Sequence, residues 1–294
     1  MQNNKFTHNS QLLLLWIVIS FVCVGCTKEN LADCNPYSHT FTIQVNAAVE
    51  DGLDAVKEIK VYVYNEDEAF LALHDAEVGN PIQLNYPQHN KLNVVVLGNA
   101  ASNKQQLPVV NIGGKLHATA LSLITTATKS TPLQATHPDD LFKGRKELFQ
   151  NNADTPQTID LHRKVASVVI TTKGIQAYAN TTSDDFHYIL RYGKRQLTFK
   201  GETTAEDVTH QPTSTFNNGV LESSIFNILP AASPIAIDIY NGAVLVSTIQ
   251  TDSSGKPLMA TAGELLNIYA TYSGDVNVSV ATTPWGEKKV WKEF

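Results

Sequence analysis

The strongest pattern along the chain is an alternation of apolar and polar residues with a period of two. It begins at residues 41–45 (Phe-Thr-Ile-Gln-Val) and returns at 59–64 and 92–96. This period places successive side chains on opposite faces of a β-strand. Residues 165–170 are almost wholly apolar, which is typical of a central strand buried on both faces. Further alternating stretches lie at residues 235–240, 266–270 and 276–280.

Turn signals separate these stretches. Asn241-Gly242 stands between two apolar runs and predicts a tight hairpin, while Asn218-Gly219 and Ser254-Gly255 predict further turns. Residues from Lys115 to about Ala127 have partly helical spacing, but their threonines allow a short helix at best. Many short strands with one or two short helices favour a sandwich or barrel. The predicted fold class is therefore all-β.

A polar segment divides the chain into two halves. Residues 150–157 (Gln-Asn-Asn-Ala-Asp-Thr-Pro-Gln) have the composition of a linker. We therefore predict an N-terminal β-sandwich domain at residues 37–153 and a C-terminal one at 154–294. Each half is long enough for a hydrophobic core of its own.

The N-terminus has the pattern of a bacterial lipoprotein signal. Lys5 precedes an apolar run that starts at Leu12 and is too short to span a membrane as a helix. The run ends in Val24-Gly25-Cys26, which predicts cleavage between Gly25 and Cys26 and lipid on Cys26 (N-palmitoyl and S-diacylglycerol). Residues 1–25 would be the signal peptide and 26–36 a lipidated spacer. A plain signal peptide with an incidental cysteine is the alternative.

Composition narrows the classes of function. The chain has 294 residues and a net charge of −6, so nothing draws it to nucleic acid phosphates. Its 3 cysteines are Cys23, Cys26 and Cys34, which leaves the folded body without an internal disulfide or thiolate metal site. Cys34 is interpreted as a small buried hydrophobe, with an intermolecular disulfide as the alternative.

Candidate chemistry is sparse. His137-Pro-Asp-Asp140 could touch a cation, but such a run is more often a solvated turn. There is no Gly-x-Ser-x-Gly elbow and no phosphate-binding glycine loop. Tyr62 and Tyr64 could form an aromatic platform for a sugar, or the second face of a buried strand. We therefore predict no enzyme activity and no catalytic, cofactor-binding or metal-binding residues.

Four segments, taken in order, carry a family resemblance. Residues 56–70 (VKEIKVYVYNEDEAF) are similar to the "V..V.VYVFD.DG.F" pattern of the FimB-like fimbrial anchor lipoproteins of Bacteroidota, the fimbrillin-associated anchor subunits. Residues 139–144 (DDLFKG) resemble the family's "DDLFYG" stretch, and 159–166 resemble the strand opening its second domain. The tail from Trp285 to Phe294 is also similar. Asn65, Glu68-Ala69 and Lys143 depart from the usual residues of these motifs.

The resemblance implies two tandem transthyretin-like β-sandwich domains and a role at the base of a fimbria. It implies attachment of the fimbria to the cell outer membrane, surface exposure, and control of assembly through β-strand exchange with fimbrial stalk subunits. In stalk subunits of this kind an Arg-directed protease removes the first strand. Here the first arginine of the whole chain is Arg145, so the N-terminal strand would stay joined to its lipid.

Two other functions remain open from the sequence. One is a surface glycan-binding lipoprotein, and the other is a tip or accessory fimbrial subunit. The sequence does not identify the stalk partner, nor whether this chain donates or accepts the exchanged strand.

Overall fold

The computed structural model describes residues 40–47, 55–126, 133–152, 156–204, 206–285 and 287. These residues form β-sheets with almost no helix, which confirms the all-β class. The signal peptide, Cys26 and Cys34 lie outside the described residues, so the predictions about them stay predictions. No helix in the described part of the chain is long and apolar enough to cross a bilayer.

The first half of the chain contributes ten strands within the described residues. They are β1 (Thr40–Ala47), β2 (Ile59–Tyr64), β3 (Phe70–Ala76), β4 (Ile82–Asn85), β5 (Lys91–Gly98), β6 (Gln105–Gln106), β7 (Ala120–Leu123), β8 (Leu133–Gln134), β9 (Phe142–Phe149) and β10 (Gln157–Arg163). Seven of them form one sheet in the order β3-β2-β5-β9-β10-β1-β4.

This sheet folds over itself into two layers. Strands β9 and β10 pair only where His162 and Arg163 meet Lys143 and Phe142, after which β10 joins β1 and β4. Buried side chains of β2, β5 and β9 pack against those of β4 and β10, and we call this cluster the first core. Gly144 permits the close approach, because any Cβ there would lie 2.7 Å from the carbonyl oxygen of Asp160.

The second half forms two facing sheets. Its strands are β11 (Ala166–Lys173), β12 (Phe186–Lys194), β13 (Gln196–Thr198), β14 (Asp207–His210), β15 (Ser214–Asn217), β16 (Val220–Ser223), β17 (Phe226–Ile228), β18 (Ala236–Asn241), β19 (Val244–Ile249), β20 (Glu264–Ser273) and β21 (Asp275–Pro284). One sheet has the order β15-β16-β11-β20-β21, with β17 also on β11, and the other β19-β18-β12-β14-β8. A second core of buried side chains joins them.

Strands from both halves meet in a third layer. Strand β13 of the second half pairs with β7 in the small sheet β13-β7-β6, and β8 of the first half pairs with β14. A third cluster of buried side chains, the junction core, lies where this layer covers the outer face of β2 and β5. Strand β10 follows the predicted boundary at residues 153/154 and hydrogen-bonds to β1 and β9. The boundary itself stays a prediction.

The predicted turns are confirmed. Asn218 and Gly219 have φ of 49° and 78°, the left-handed conformation that a two-residue hairpin requires, and they connect β15 to β16. Asn241-Gly242 connects β18 to β19. In the turn after β2, the side chain of Asn65 accepts hydrogen bonds from the backbone N–H groups of Asp67 and Ala69, at 3.0 and 2.8 Å.

The partly helical spacing from Lys115 to about Ala127 produces only a short helical turn, within the limit that its threonines set. The described part of that segment is a 3-10 turn, Leu116–Ala118, followed by β7. The Thr119 hydroxyl donates to the carbonyl oxygen of Lys115 at 2.9 Å and ends the turn. The described residues also include a 3-10 turn at Gln150–Asn152 and a short helix, α1, at Ile175–Tyr178.

Candidate strand-exchange site

The first strand occupies a slot between two strands that do not pair with each other. Strand β1 runs parallel to β10, with a register from Ile43↔Gln157 to Ala47↔Leu161. On its other side it runs antiparallel to β4, with Thr40 opposite Asn85. Within the described residues β4 has no other strand partner. Removal of β1 would therefore leave two facing backbone edges able to accept an extended segment.

Apolar side chains form the floor of this slot. Leu84 of β4 and Ile159 and Leu161 of β10 are each no more than 1% exposed. They belong to the first core, together with Val96 and Phe142 on the facing layer. An extended segment in the slot would gain main-chain hydrogen bonds on both sides and cover an apolar surface.

Other sheet edges differ in how open they are. Strand β21 lies at the edge of its sheet, but the loop at Ser253 covers its middle: the Ser253 N–H donates to the carbonyl oxygen of Val278 at 2.9 Å, and the Val278 N–H donates to Ser253 Oγ at 2.7 Å. Strand β19 is also an edge strand, and its Val244 and Leu245 are exposed. Covering an edge prevents unwanted pairing with other chains.

Tyr62 and Tyr64 do not form a sugar platform. Both side chains are fully buried in the junction core, where the ring of Tyr62 packs edge-on against Phe199, with centroids 4.7 Å apart. Burial raises the pKa of both phenols, that of Tyr64 to about 12. The interpretation as the second face of a buried strand is confirmed, and the platform interpretation is wrong.

The motif at residues 139–144 supplies structural contacts rather than a metal site. Asp140 binds the guanidinium of Arg163 through both carboxylate oxygens, at 2.6 and 2.8 Å. The same guanidinium stacks over Trp285, 4.1 Å from the ring centroid. Asp139 instead pairs with Lys104 at 2.7 Å. The predicted polar cluster is thus divided between separate partners, and the described residues hold no group of three potential metal ligands.

Lys143 of the same motif is a buried cation. It is 4% exposed, and burial together with the charges of Lys164 and Arg145 lowers its pKa to about 8. Its ammonium lies near the backbone of Gly201, where a Cβ would be 3.4 Å from Nζ. The departure from the family's aromatic residue at this position therefore places a cation at the edge of the junction core.

His210 and His137 lie close together, with ring centroids 5.6 Å apart. His210 is fully buried on β14, and neither ring nitrogen has a hydrogen-bond partner within the described residues. Burial and the neighbouring His137 lower its pKa to about 3. His137 lines an open cleft of about 500 Å³ with Phe226 and Asn227, and no carboxylate is among the described residues that line it. This cleft lacks the pair of acid and base groups that hydrolysis requires.

Comparison with known proteins gives the family. Residues 31–291 match the model of the fimbrillin-A associated anchor proteins Mfa1 and Mfa2. The chain belongs to this family. The major fimbrium anchoring subunit FimB of Porphyromonas gingivalis is 26% identical over 304 residues, covering 96% of this chain and 97% of that protein. The resemblance inferred from the sequence motifs is confirmed.

Solved structures of related fold agree. The fimbrial anchor protein Mfa2 from Porphyromonas gingivalis has a TM-score of 0.59 at 11% identity, covering 84% of this chain and 97% of that one. A candidate adhesin from Bacteroides ovatus has a TM-score of 0.61 at 13% identity, covering 84% and 96%. At this identity the likeness establishes the fold alone.

The sequence motifs indicated the family but did not indicate the slot that β1 occupies between β4 and β10. Strand β1 was predicted from its alternation, whereas its partner β10 begins inside a segment with linker composition. The contact of Arg163 with Trp285 joins residues far apart in the chain and has no local signal.

Proposed function

We propose that this chain is a lipid-anchored fimbrial subunit that attaches a fimbria to the outer membrane and limits its assembly through strand exchange. Membership of the anchor family and the similarity to anchoring subunits support the attachment role. We propose the remaining parts from the sequence: a signal peptide at residues 1–25, lipid on Cys26, a spacer at 26–36 and two successive sandwiches. The role is structural, in keeping with relatives named as anchors and adhesins.

The observation that carries the proposal is the position of β1. The strand fills its own slot between β4 and β10, and no arginine precedes Arg145. An Arg-directed protease therefore has no site with which to separate β1 from Cys26. A subunit with its slot filled by its own strand does not accept a further subunit there, which would end the fimbria at its base.

The length of the tether limits how far the body can lie from the lipid. Residues 27–39 separate Cys26 from the start of β1 at Thr40. A fully extended chain of this length reaches at most about 50 Å. Acyl chains on Cys26 would supply the membrane affinity, at roughly 0.8 kcal/mol per buried CH₂ group.

Two cysteines of the same short segment, Cys26 and Cys34, allow the lipid anchoring to be tested. Cys26→Ala should release the protein from the membrane fraction and shed fimbriae into the medium, because the acceptor of the lipid is lost. Cys34→Ala is the matched control and should leave both membrane fractionation and fimbrial attachment unchanged. Normal attachment in the Cys26→Ala strain would contradict the proposal. Immunogold labelling at the free end of the fimbria would favour a tip subunit instead.

The glycan-binding alternative has lost its main support. It rested on exposed aromatic rings at Tyr62 and Tyr64, and both are buried beneath Phe199. Nothing in the described cleft at His137 replaces them with an exposed aromatic platform. The anchoring role is therefore the function that the observations support best.

A further inference from the structure

One loop presents two aliphatic side chains almost entirely to solvent. Val109 is 90% exposed and Ile112 is 84% exposed, more than any other large hydrophobic residue that the structure describes. Residues 105–114 (QQLPVVNIGG) contain no ionisable side chain. Single exposed aliphatic residues are common on protein surfaces, but two together on an uncharged loop indicate a contact surface.

The loop is held in place rather than loosely attached. The Phe70 N–H donates to the carbonyl oxygen of Gly114 at 2.8 Å, and the Gly113 N–H donates back to that of Phe70 at 2.9 Å. Leu107 and Val110 pack against the junction core. The exposure of Val109 and Ile112 is therefore a fixed property of the surface.

The strand directions place this loop at the end of the molecule where the chain enters. Strand β1 begins at Thr40, opposite the last residue of β4, Asn85. The turn that follows β4 contacts the turn that follows β2, through His89 and Glu66 at 3.0 Å. The Val109–Ile112 loop is hydrogen-bonded to the first residue of β3, directly after that second turn. The start of β1, both turns and the loop thus share one end of the first sandwich.

Two of the three carboxylates in the turn after β2 have a basic partner at this end. Glu66 bonds to His89, Glu68 lies 3.4 Å from Arg145, and Lys115 donates to the backbone oxygen of Asp67. Phe149 adds a third exposed apolar side chain, with the ammonium of Lys91 over its ring. Paired charges around exposed apolar groups suit approach to a lipid surface, since few unpaired charges must be desolvated.

We infer that this end of the molecule rests on the lipid bilayer, with Val109 and Ile112 entering its interfacial region. The inference rests on the lipid anchoring proposed above. The occupant is a bilayer rather than a protein because the tether that enters at this end carries the lipid and is at most about 50 Å long. The loop is too small to anchor the protein, so its effect is to orient the body on the membrane.

Tryptophan placed on the loop tests the inference. The full lipidated chain carrying Val109→Trp is reconstituted into phosphatidylcholine–phosphatidylethanolamine vesicles, with and without bromine in the upper acyl chain. The spectrum of the unsubstituted chain is subtracted. We expect a blue-shifted emission that loses intensity in the brominated vesicles. Val244→Trp is the control, because Val244 is also exposed but lies on β19 of the second half, and its emission should not respond.

Each outcome decides between the two proposals. Flotation of the vesicles reports lipid anchoring independently of fluorescence. Protein that floats with emission from Val109→Trp unaffected by bromine overturns the orientation and leaves the anchor intact. A blue shift without bromine quenching indicates coverage by a second protein molecule and overturns it too. Protein that fails to float overturns the lipid anchor and the orientation together.

Discussion

Strands β1 and β11 occupy equivalent positions in the two halves, yet they differ in how firmly they are held in their sheets. Each has a parallel strand on one side and antiparallel strands on the other. The parallel register of β11 with β20 extends from Ser167↔Leu265 to Lys173↔Thr271, longer than that of β1 with β10. A short link ties β11 directly to β10, whereas β1 is preceded only by the proposed tether.

A strand that can be exchanged therefore need not lie in a slot of distinctive geometry. The hydrogen-bonding geometry is similar in both halves, and both floors are apolar. What separates them is the covalent connection on each side of the strand. A single cut after β1 would free it, whereas β11 would need two cuts.

The largest expected effect comes from making that single cut. Lys57→Arg places an arginine at an exposed position between β1 and β2. After cleavage by an arginine-specific protease, β1 is held only by β4, β10 and its floor. We expect the lipid-bearing fragment to stay on the membrane while the remaining chain is released at denaturant concentrations below those that unfold the second half. Fractionation followed by mass spectrometry measures this release.

The unsubstituted chain is the control for this cut, because it has no arginine before Arg145. It should stay membrane-bound under the same protease treatment. Release of the cleaved Lys57→Arg chain only at global unfolding would show that β1 is as permanent as β11.

The second largest effect is expected from a polar side chain placed in the centre of β11. Ile170 is fully buried in the second core, so Ile170→Asn loses apolar burial and leaves an amide without a partner. We expect a loss of about 4 kcal/mol or more in the free energy of unfolding, measured by urea denaturation. Thr171→Asn, whose side chain points the other way, should cost far less. Equal losses would mean that β11 is not the central strand of its core.

A smaller change tests the floor of the β1 slot. Leu84→Ala removes a side chain that is 1% exposed, and should lower the free energy of unfolding by about 2–4 kcal/mol. Gln83→Ala, on the exposed face of the same strand, is the control and should stay near zero. Combined with Lys57→Arg, Leu84→Ala should also lower the denaturant concentration that frees β1. If it does not, the floor contributes nothing to strand retention.

The smallest expected effect is a pH dependence of stability that comes from His210. His210 has its folded pKa lowered to about 3, from a usual value of about 6.5. At acidic pH the unfolded chain therefore binds a proton at His210 that the folded chain does not bind. The contribution of neutral His210 to the free energy of unfolding is complete above pH 6.5 and decreases as the pH falls toward 3. Between pH 7 and pH 5 the expected loss is about 2 kcal/mol.

Urea denaturation at both pH values checks this expectation. His210→Phe should flatten the pH dependence of the second half, because the titrating group is gone. An unchanged slope in that variant would assign the acid sensitivity to other groups.

The sequence predicted local structure well because strands and turns leave local signals. The alternation at residues 59–64 identified β2, and Asn218-Gly219 identified a hairpin that the φ angles confirm. The short helix after Lys115 ends after one turn because the Thr119 hydroxyl bonds back to that turn, a competition that residue spacing does not reveal. The ambiguity of Tyr62 and Tyr64 could not be resolved without the layer that covers them.

The site was less predictable because it depends on partners distant in sequence. A parallel pair such as β1 and β10 has no hairpin to mark it, so nothing near residue 43 identifies Gln157 as its neighbour. The same is true of the Arg163 guanidinium between Phe142 and Trp285. Family resemblance supplied the expectation of strand exchange, and only the fold located the slot.

The direction of β1 determines how a pulled fimbria would strain its anchor. Tension from Cys26 reaches the body at Thr40 and is directed along the strand, at right angles to its hydrogen bonds with Asn85–Ile82 and with β10. In that geometry the bonds on both sides share the force and slide together, instead of opening one at a time from an end. A cell held by such a fimbria in a flowing medium would thus load the attachment along the direction in which these hydrogen bonds resist together.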